Sequence, residues 1–499
     1  MKVKESWASK IGVILAVAGS AVGLGNFLRF PGQVAQNGGG TFMIPYFVAF
    51  VLLGIPLMWI EWSIGRFGGM FGHSTLPAMY QRLTGKKNAK YLGIFGLILP
   101  FVVLCYYTYI ESWTLAYSFF SIKGDTSCLD ESSCGAFLGN YITVDNLLSS
   151  TILFFAITMF INYYVLSKGV SGGIEKLCKV AMPALFIMAI IIMIRVLSLD
   201  GISKGLGFMW NPDLSKLKDV KIWLAATGQI FFTLSLGFGV IQTYASYIKK
   251  DDDIALSGLS SASLNGFAEV VLGASIAIPA AVVFLGAAGA QEVAESGTFS
   301  IAFVTMPLIF QKMGAANLFG FLWFFLLFIA GVTSSISLGQ PLIAFLEDEF
   351  GFSRKKAVNT IFIGLILVAI PTILYINNGF VDEVDFWCGN FLIVVSATIE
   401  VLLFGWIFGI DKGWSEITRG AMIKIPKVFK FIIKYITPPY LLILLGTWIF
   451  QKLGPNIRME GVAEANKPVI IGARLFLLML AVILGYLIKR SCRDFKEEK

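Results

Sequence analysis

Residues 18–31 interrupt an apolar segment that is otherwise long enough to cross a bilayer. Three glycines fall within seven of these residues, and each costs a helix interior up to about 1 kcal/mol relative to alanine. Asn26 and Arg29 are polar where lipid disfavours polarity. Backbone leaves its helix at membrane depth only where protein buries it or a cavity borders it. The segment therefore predicts a broken helix, although a glycine-rich helix packed tightly against a neighbour also fits these residues.

Such a break exposes two kinds of backbone group. Carbonyl oxygens at the end of the first half-helix suit a cation, and amide groups at the start of the second half suit an anionic group. The segment is therefore a candidate binding site.

Composition places the chain in a membrane. Of its 499 residues 57% are hydrophobic and only 14% are charged, whereas about 25% are charged in an average soluble protein. The net charge of +8 comes mostly from lysines and arginines in loops. These residues orient the chain in the bilayer and do not indicate nucleic-acid binding.

Twelve apolar segments have the length of a membrane span. We number them spans 1–12, at about 10–30, 41–66, 90–120, 146–166, 174–197, 222–246, 256–286, 314–346, 357–376, 384–409, 430–452 and 470–489. Basic residues collect before span 1, between spans 2 and 3, after span 8, before span 11 and after span 12. By the positive-inside rule these loops and both termini are cytoplasmic, in a cell membrane protein. Cys128 and Cys134 then share an outer loop, as a disulfide or as two free thiols.

Span 6 is interrupted as well. Thr233, Ser235, Gly237 and Gly239 cluster in its middle. Breaks in spans 1 and 6, five spans apart, indicate two inverted repeats with a binding site at their interface. The expected organisation is a single membrane domain with repeat one at about 8–197, repeat two at about 222–409 and two extra helices at about 430–489.

Four motifs give the chain a specific resemblance. Residues 21–31, 37–42, 229–235 and 333–335 resemble the neurotransmitter:sodium symporter family in register along nearly the whole chain. The resemblance is weakest at 121–145 and in the last two spans. It implies an all-α membrane protein with twelve transmembrane helices, arranged as the 5+5 inverted repeat called the LeuT fold with helices 1 and 6 broken. It also implies sodium-coupled symport.

The resemblance further implies two sodium sites built from oxygen, the ligand that hard cations prefer. The first set is the Ala21 carbonyl, Asn26, Thr233, Asn265 and the substrate's own carboxylate. The second set is the carbonyls of Gly19, Val22 and Ala330 with the hydroxyls of Thr333 and Ser334. The alternative for these two hydroxyls is a hydrogen bond to their own helix.

The family pattern also outlines a substrate pocket, formed by Ala21, Leu24, Gly25, Val103, Tyr107, Phe232, Thr233, Ser235, Phe238 and Leu338. Gly23 stands where amine transporters of the family carry an aspartate. The missing carboxylate favours a substrate that brings its own, and the apolar side chains favour a leucine-like amino acid. Tryptophan or another bulky aromatic amino acid is the alternative.

Charged residues outline two gates in the same pattern. Arg29 and Asp385 would close the outer path directly or through water, above a lid of Tyr107 and Phe238; alternatively, both charges are interfacial. The inner latch would consist of Lys4, Trp7, Tyr247 and Asp348. Lys4 stands where the family has an arginine, and lysine lacks the planar fork, so we expect a weaker latch.

Glu269 is an acid at membrane depth, which makes it a functional candidate. It follows Asn265 by four residues, on the same helix face. In chloride-dependent members of the family a small polar residue at this position helps to bind chloride, so a carboxylate predicts chloride independence, with Tyr46 and Gln229 as neighbours. Glu61, Glu111 and Glu400 are interpreted as structural pairs or interfacial acids.

Two classes of function other than transport have to be considered, a sensor and an enzyme. A nutrient sensor that binds an amino acid without transporting it would have the same pocket. An enzyme is disfavoured because His73 is the only histidine and no nucleophile–base or metal-ligand cluster is evident. The expected cofactors and partners are two sodium ions, a neutral amino acid and the lipid bilayer. A homodimer is compatible with the sequence and stays open.

Overall fold

The computed structural model describes residues 5–126, 130–143, 149–295 and 301–491, and these residues contain helices but no strands. Ten helices are long and apolar enough to cross a membrane, and one bent pair of helices adds an eleventh span. Span 6 is formed by two helices too short to pass the same length test. The all-α membrane fold predicted from the sequence is therefore confirmed.

The helix bounds differ from the predicted spans by a few residues at most ends. The ten continuous helices are Gly40–Met70, Lys87–Lys123, Ser150–Ser167, Val170–Leu197, Ile254–Glu295, Ala316–Phe350, Arg354–Leu374, Phe380–Thr418, Val428–Ile457 and Glu464–Arg490. They correspond to spans 2–5 and 7–12.

Span 1 is broken where the glycines predict it. Its halves, Lys10–Ala21 and Leu24–Gln36, meet at an angle of 56°. Ser9 caps the start of the first half, and its hydroxyl accepts from the Gly12 N–H. Between the halves Gly23 is extended, with φ −122° and ψ −164°.

Span 6 breaks between the helices Val220–Thr233 and Val240–Ala245. Gly237 and Gly239 have φ of 80° and 78°, the left-handed region that glycine enters without steric cost. Ser235 has φ of 53°, which is uncommon for a residue with a side chain. Residues 234–239 form the unwound segment of span 6.

The spans divide into a core and a periphery. Spans 3 and 8 are the most enclosed of the continuous helices, and they pack along each other. Spans 9, 11 and 12 are the least enclosed. These three spans therefore lie outside the packed centre.

The outer connections contain helices of their own. Examples are Glu131–Ile142, Ile202–Trp210 and Met306–Met313. The helix that begins in span 7 is kinked at Gly286, with φ of 73°, close to where the sequence ends that span. Cys134 is disulfide-bonded, while Cys128 lies outside the described residues.

Candidate ion and substrate site

The two broken helices face each other in the middle of the molecule. The Ser235 hydroxyl donates to the Ser20 carbonyl at 3.0 Å, and Asn26 Nδ2 donates to Thr233 Oγ1 at 3.1 Å. Both contacts are buried. Residues that are more than 200 positions apart in the sequence therefore form one site.

The first predicted sodium set comes together beside these contacts. Asn265 Oδ1 accepts from Asn26 Nδ2 at 2.8 Å, and Asn265 Nδ2 donates to Thr233 Oγ1 at 3.0 Å. The same Asn265 oxygen faces the carbonyl oxygens of Ala21 at 3.0 Å and Thr233 at 3.2 Å. Turning the Asn265 amide over would replace these oxygen–oxygen approaches by N–H donors. A cation among the oxygens would relieve the same repulsion.

The second predicted set is assembled in part. Ser334 Oγ reaches across to the carbonyls of Gly19 at 3.3 Å and Ser20 at 3.2 Å. Thr333 Oγ1 instead donates within its own helix, at 3.1 Å to Ala330, as in the alternative interpretation. Among the contacts of the described residues, these hydroxyls do not reach the predicted Val22 carbonyl. Ser334 thus links span 8 directly to span 1, as does Ser337, whose hydroxyl donates to Ser20 Oγ at 2.7 Å.

A buried cavity of about 40 Å³ lies between the two breaks. It is lined by Ser20, Ala21, Gly23, Gly25, Asn26, Val103, Tyr107, Phe232, Thr233, Ser235, Phe238, Ser334 and Leu338. Nine of the ten predicted substrate residues are in this set. The tenth, Leu24, donates its backbone N–H to the Tyr107 hydroxyl at 3.1 Å.

Close packing explains the glycines of the break. A Cβ at Gly23 would lie 2.7 Å from Ser334 Oγ and 2.8 Å from the Tyr107 hydroxyl. A Cβ at Gly25 would lie 2.6 Å from the Phe232 ring. Side chains at either position would occupy the space that the cavity and its walls require.

The outer gate residues meet through an intermediate. Arg29 donates to Asn390 Oδ1 at 2.9 Å, and Asn390 Nδ2 donates to Asp385 at 2.8 Å. Asp385 also accepts from the Tyr106 hydroxyl at 2.5 Å. The Arg29 guanidinium lies 4.3 Å from the centre of the Phe232 ring.

An outer cavity of about 270 Å³ lies above the buried one. Gly25, Tyr107 and Phe232 border both cavities. The sequence predicts Tyr107 and Phe238 as the lid over the site. Phe238 lines only the inner cavity, so the side chains that separate the two cavities are those of Tyr107 and Phe232.

The inner latch residues are spread over several contacts. Trp7 Nε1 donates to the Tyr244 carbonyl at 2.9 Å, and Tyr247 accepts from Gln340 at 2.8 Å. Asp348 accepts from the Ser74 N–H at 2.9 Å. Lys4 lies outside the described residues.

Two acids that the sequence analysis did not consider also hold the start of span 1. Glu175 in span 5 accepts from the Ala8 N–H at 2.7 Å and from the Ser9 hydroxyl at 2.8 Å. Glu5 accepts from the Val170 N–H at 2.6 Å. Spans 1 and 5 are therefore tied together on the inner side.

Glu269 is fully buried next to the first ion set. The Tyr46 hydroxyl donates to one of its oxygens, and Gln229 Nε2 donates to the other at 2.5 Å. Both expected neighbours of Glu269 are in place.

Among the residues that the structure describes, no three His, Cys, Asp or Glu side chains converge to hold a metal ion in the manner of an enzyme centre. Two broken helices that face each other across a cavity, with backbone carbonyl oxygens and the start of the second half of span 1 beside it, define a secondary transporter of the inverted-repeat class.

The comparisons with known proteins identify the family within that class. The model of the sodium:neurotransmitter symporter family matches residues 4–151 and 144–493. The chain belongs to this family and is a multi-pass membrane transporter, not an enzyme.

Individual relatives agree with this assignment. An uncharacterized sodium-dependent transporter of Methanocaldococcus jannaschii is 31% identical over 454 residues, which cover 87% of this chain and 88% of the relative. The sodium-dependent serotonin transporter of Drosophila melanogaster is 26% identical, over 91% of this chain and 77% of the relative. The crystal structure of MhsT in complex with L-phenylalanine matches with a TM-score of 0.79 and 31% identity, over 89% of this chain and 100% of that one.

Proposed function

We propose that the chain takes up leucine-like neutral amino acids by alternating access, with two sodium ions per substrate and without chloride. The observation that carries this proposal is the convergence of the Asn26, Thr233 and Asn265 side chains on the Ala21 carbonyl, directly beside a cavity with no charged side chain in its wall. Such a group of oxygen-bearing residues suits a cation, and the cavity suits a substrate that supplies its own carboxylate.

In the first proposed sodium site, the ion and the substrate complete each other. Ala21, Asn26 and Thr233 belong both to the ion set and to the lining of the cavity. A carboxylate bound there, with Tyr107 and the start of the second half of span 1 as donors, would become an additional ligand of the ion. Sodium binding and amino-acid binding would therefore favour each other.

The second proposed site couples sodium to closure. The Ser334 hydroxyl already bonds carbonyls in the first half of span 1. An ion held by Gly19, Val22, Ala330, Thr333 and Ser334 would fix span 1 against span 8. We expect the Thr333 hydroxyl to turn from the Ala330 carbonyl toward that ion, because a hydroxyl can rotate to suit its partner.

The substrate preference rests on the cavity wall. Val103, Phe232, Phe238 and Leu338 present apolar surface, and Gly23 brings no carboxylate to receive an amine. The structure of MhsT with L-phenylalanine supports an amino acid as the substrate class. It equally favours the alternative of a bulky aromatic substrate.

Chloride independence follows from the position of Glu269. A buried carboxylate next to the first sodium site supplies the negative charge that chloride would bring. The hydrogen bonds from Tyr46 and Gln229 support that charge when sodium is bound. In the orientation we propose, both termini and the inner latch face the cytoplasm.

The decisive experiment is uptake of labelled leucine into proteoliposomes of the purified protein, with inward sodium compared with inward potassium, both chloride-free. Sodium-driven accumulation would establish symport, and its persistence without chloride would support the role of Glu269. Sodium-dependent binding without accumulation would instead indicate a sensor. Displacement by tryptophan with no response to leucine would overturn the proposed pocket size but not the mechanism.

A further inference from the structure

Two buried acids lie behind the unwound segment of span 6 and take no part in the proposed transport scheme. Glu61 is in span 2 and Glu400 is in span 10, and both are fully buried. Both carboxyl groups contact span 6, Glu61 through the Gly237 N–H and Glu400 through Gln242 Nε2, and they lie close enough for their charges to interact. The sequence allowed them to be interfacial acids, but their burial excludes that interpretation.

The pair has too few donors for its oxygens. Glu61 Oε1 accepts from the Gly237 N–H at 2.7 Å. Glu400 Oε1 accepts from the Tyr80 hydroxyl at 3.1 Å and from Gln242 Nε2 at 2.9 Å. Oε2 of each carboxyl group is enclosed and has no donor among the described residues. Buried polar atoms in folded proteins are nearly always paired, so two such atoms in one cluster require an explanation.

One proton would complete the arrangement. Two carboxyl groups at this range cannot both ionise, because the like charges repel in a site from which water is excluded. The groups that face the pair are Tyr80, Gln242 and the Gly237 amide, and no lysine, arginine or histidine among the described residues compensates a second charge. A protonated carboxyl group is a donor as well as an acceptor.

We propose that Glu61 and Glu400 form a binding site for one exchangeable proton behind the unwound segment of span 6. Glu400 already receives two hydrogen bonds and carries the negative charge. Glu61 carries the proton and donates it to Glu400, while its other oxygen holds the Gly237 N–H. A proton would then bind this transporter in addition to the proposed sodium ions, at a separate site.

The position of the site links the proton to the substrate cavity. Gly237 lies between Ser235 and Phe238, which both line that cavity. Glu61 belongs to repeat one and Glu400 to repeat two. Movement of one repeat against the other, as in alternating access, separates the two carboxyl groups and lets the proton leave. Protonation therefore favours the arrangement seen in this structure.

Infrared spectroscopy of the full-length protein in lipid tests the site without any substrate. The C=O stretch of a protonated carboxylic acid is followed during a pH titration of wild type, Glu61→Gln and Glu400→Gln. Glutamine keeps the shape and the hydrogen bonds of a neutral acid, and thermal unfolding of each variant checks that it folds. Glu111→Gln, which removes a buried acid outside the pair, is the matched control.

We expect Glu61→Gln to abolish one protonated-acid band that Glu111→Gln leaves in place. In Glu400→Gln the band should disappear at a lower pH than in wild type, because the like charge that opposes ionisation is gone. A band that survives Glu61→Gln, or the same pH of disappearance in Glu400→Gln, would overturn the proposal. Loss of the wild-type band when sodium replaces choline at constant pH would also overturn it, since a metal cation would then occupy the pair.

The link to the cavity has its own measurement, which rests on the proposed function. Sodium-dependent binding of labelled leucine should weaken in wild type as the pH rises through the value at which the infrared band disappears. Glu61→Gln should lack this step. The same step in both proteins would separate the proton site from the cavity, and the infrared result would still decide whether the site exists.

Discussion

Gly23 leaves little room for a side chain in the binding region. A Cβ there would approach both Ser334 Oγ and the Tyr107 hydroxyl closer than 3.0 Å. Either neighbour would have to move, and both line the cavity. Gly23→Ala should therefore weaken sodium-dependent leucine binding by about 1–3 kcal/mol, the usual cost of overpacking, which is roughly a five- to 150-fold loss of affinity.

The matched control for Gly23→Ala is Gly228→Ala. Gly228 lies in the first half of span 6, and a Cβ there would meet nothing within 4 Å. Scintillation proximity binding of labelled leucine compares the two variants directly. Equal affinities for wild type and Gly23→Ala would show that the cavity is not the leucine site.

Replacing Glu269 should change the dependence of leucine uptake on chloride. Glu269→Ser removes the buried carboxylate but keeps a small polar group, as in chloride-dependent members of the family. We expect leucine uptake by this variant to be low in chloride-free medium and to recover when chloride is added. Wild type should respond to chloride by less than twofold.

The control for the chloride prediction is Glu292→Ser, since Glu292 is an exposed acid in the outer region. Uptake in proteoliposomes with gluconate or chloride as the anion distinguishes the outcomes. A variant at Glu269 that stays inactive at every chloride concentration would contradict the idea that the carboxylate merely replaces the anion.

The residues that sequence reasoning missed share one property. Asn390 joins Arg29 to Asp385, and Ser20 receives hydrogen bonds from both Ser235 and Ser334. Each of these contacts depends on which way a side chain points across two helices that are far apart in the sequence. The spacing of residues along one helix predicts a shared face, not the partner that meets it.

At the scale of helices, the inner end of span 1 depends on span 5. Glu175 accepts hydrogen bonds from the Ala8 N–H and the Ser9 hydroxyl, and it pairs with Lys179 at 2.7 Å. A Cβ at Gly12 would lie 2.1 Å from the Glu175 carboxylate. Glu175 thus acts as a clamp on the first turn of a helix that must move if the inner path is to open.

Removing the Glu175 side chain should make the first turn of span 1 open more often. Hydrogen bonds to charged groups contribute about 1.5–3 kcal/mol each, so in Glu175→Ala the amide of Ala8 should exchange hydrogen at least tenfold faster on that scale. Hydrogen–deuterium exchange of the peptide covering residues 8–21 measures the effect. Leucine affinity should fall as well, because an open inner path competes with the closed cavity.

Lys179→Ala separates the clamp from the ion pair. Lys179 is 39% exposed, and pairs of this kind contribute about 0–1 kcal/mol. This variant should therefore exchange nearly as slowly as wild type. Exchange as fast in Lys179→Ala as in Glu175→Ala would mean that the ion pair, and not the hydrogen bonds from Ala8 and Ser9, holds span 1.

The helices themselves were largely predictable. The break of span 1 is encoded locally, in glycines and polar residues, and the structure confirms it at 22–23. Hydropathy located most ends of the continuous spans within a few residues. It could not show that spans 3 and 8 form the centre, because a helix that is apolar all round fits both a protein core and lipid. The helices in the outer loops were missed because their apolar stretches are short.

At the scale of the whole molecule, the proposed transport cycle draws its free energy from the membrane potential and the sodium gradient. Two sodium ions carried inward with a zwitterion move two charges, which supplies roughly 4.6 kcal/mol at about 100 mV. Tenfold sodium gradients add roughly 2.7 kcal/mol for two ions. The sum could concentrate the substrate by about 10⁵. Such a ratio suits uptake of a scarce nutrient.

The number of ions sets how steeply accumulation depends on sodium. With two ions the limiting ratio of leucine inside to outside scales with the square of the sodium gradient, because each ion contributes RT ln of that gradient. At constant membrane potential, removing a tenfold gradient should lower the ratio by about 100-fold. One coupled ion would lower it by only about tenfold. Steady-state leucine in proteoliposomes, with the potential clamped by a potassium ionophore, therefore decides whether both oxygen sites carry sodium.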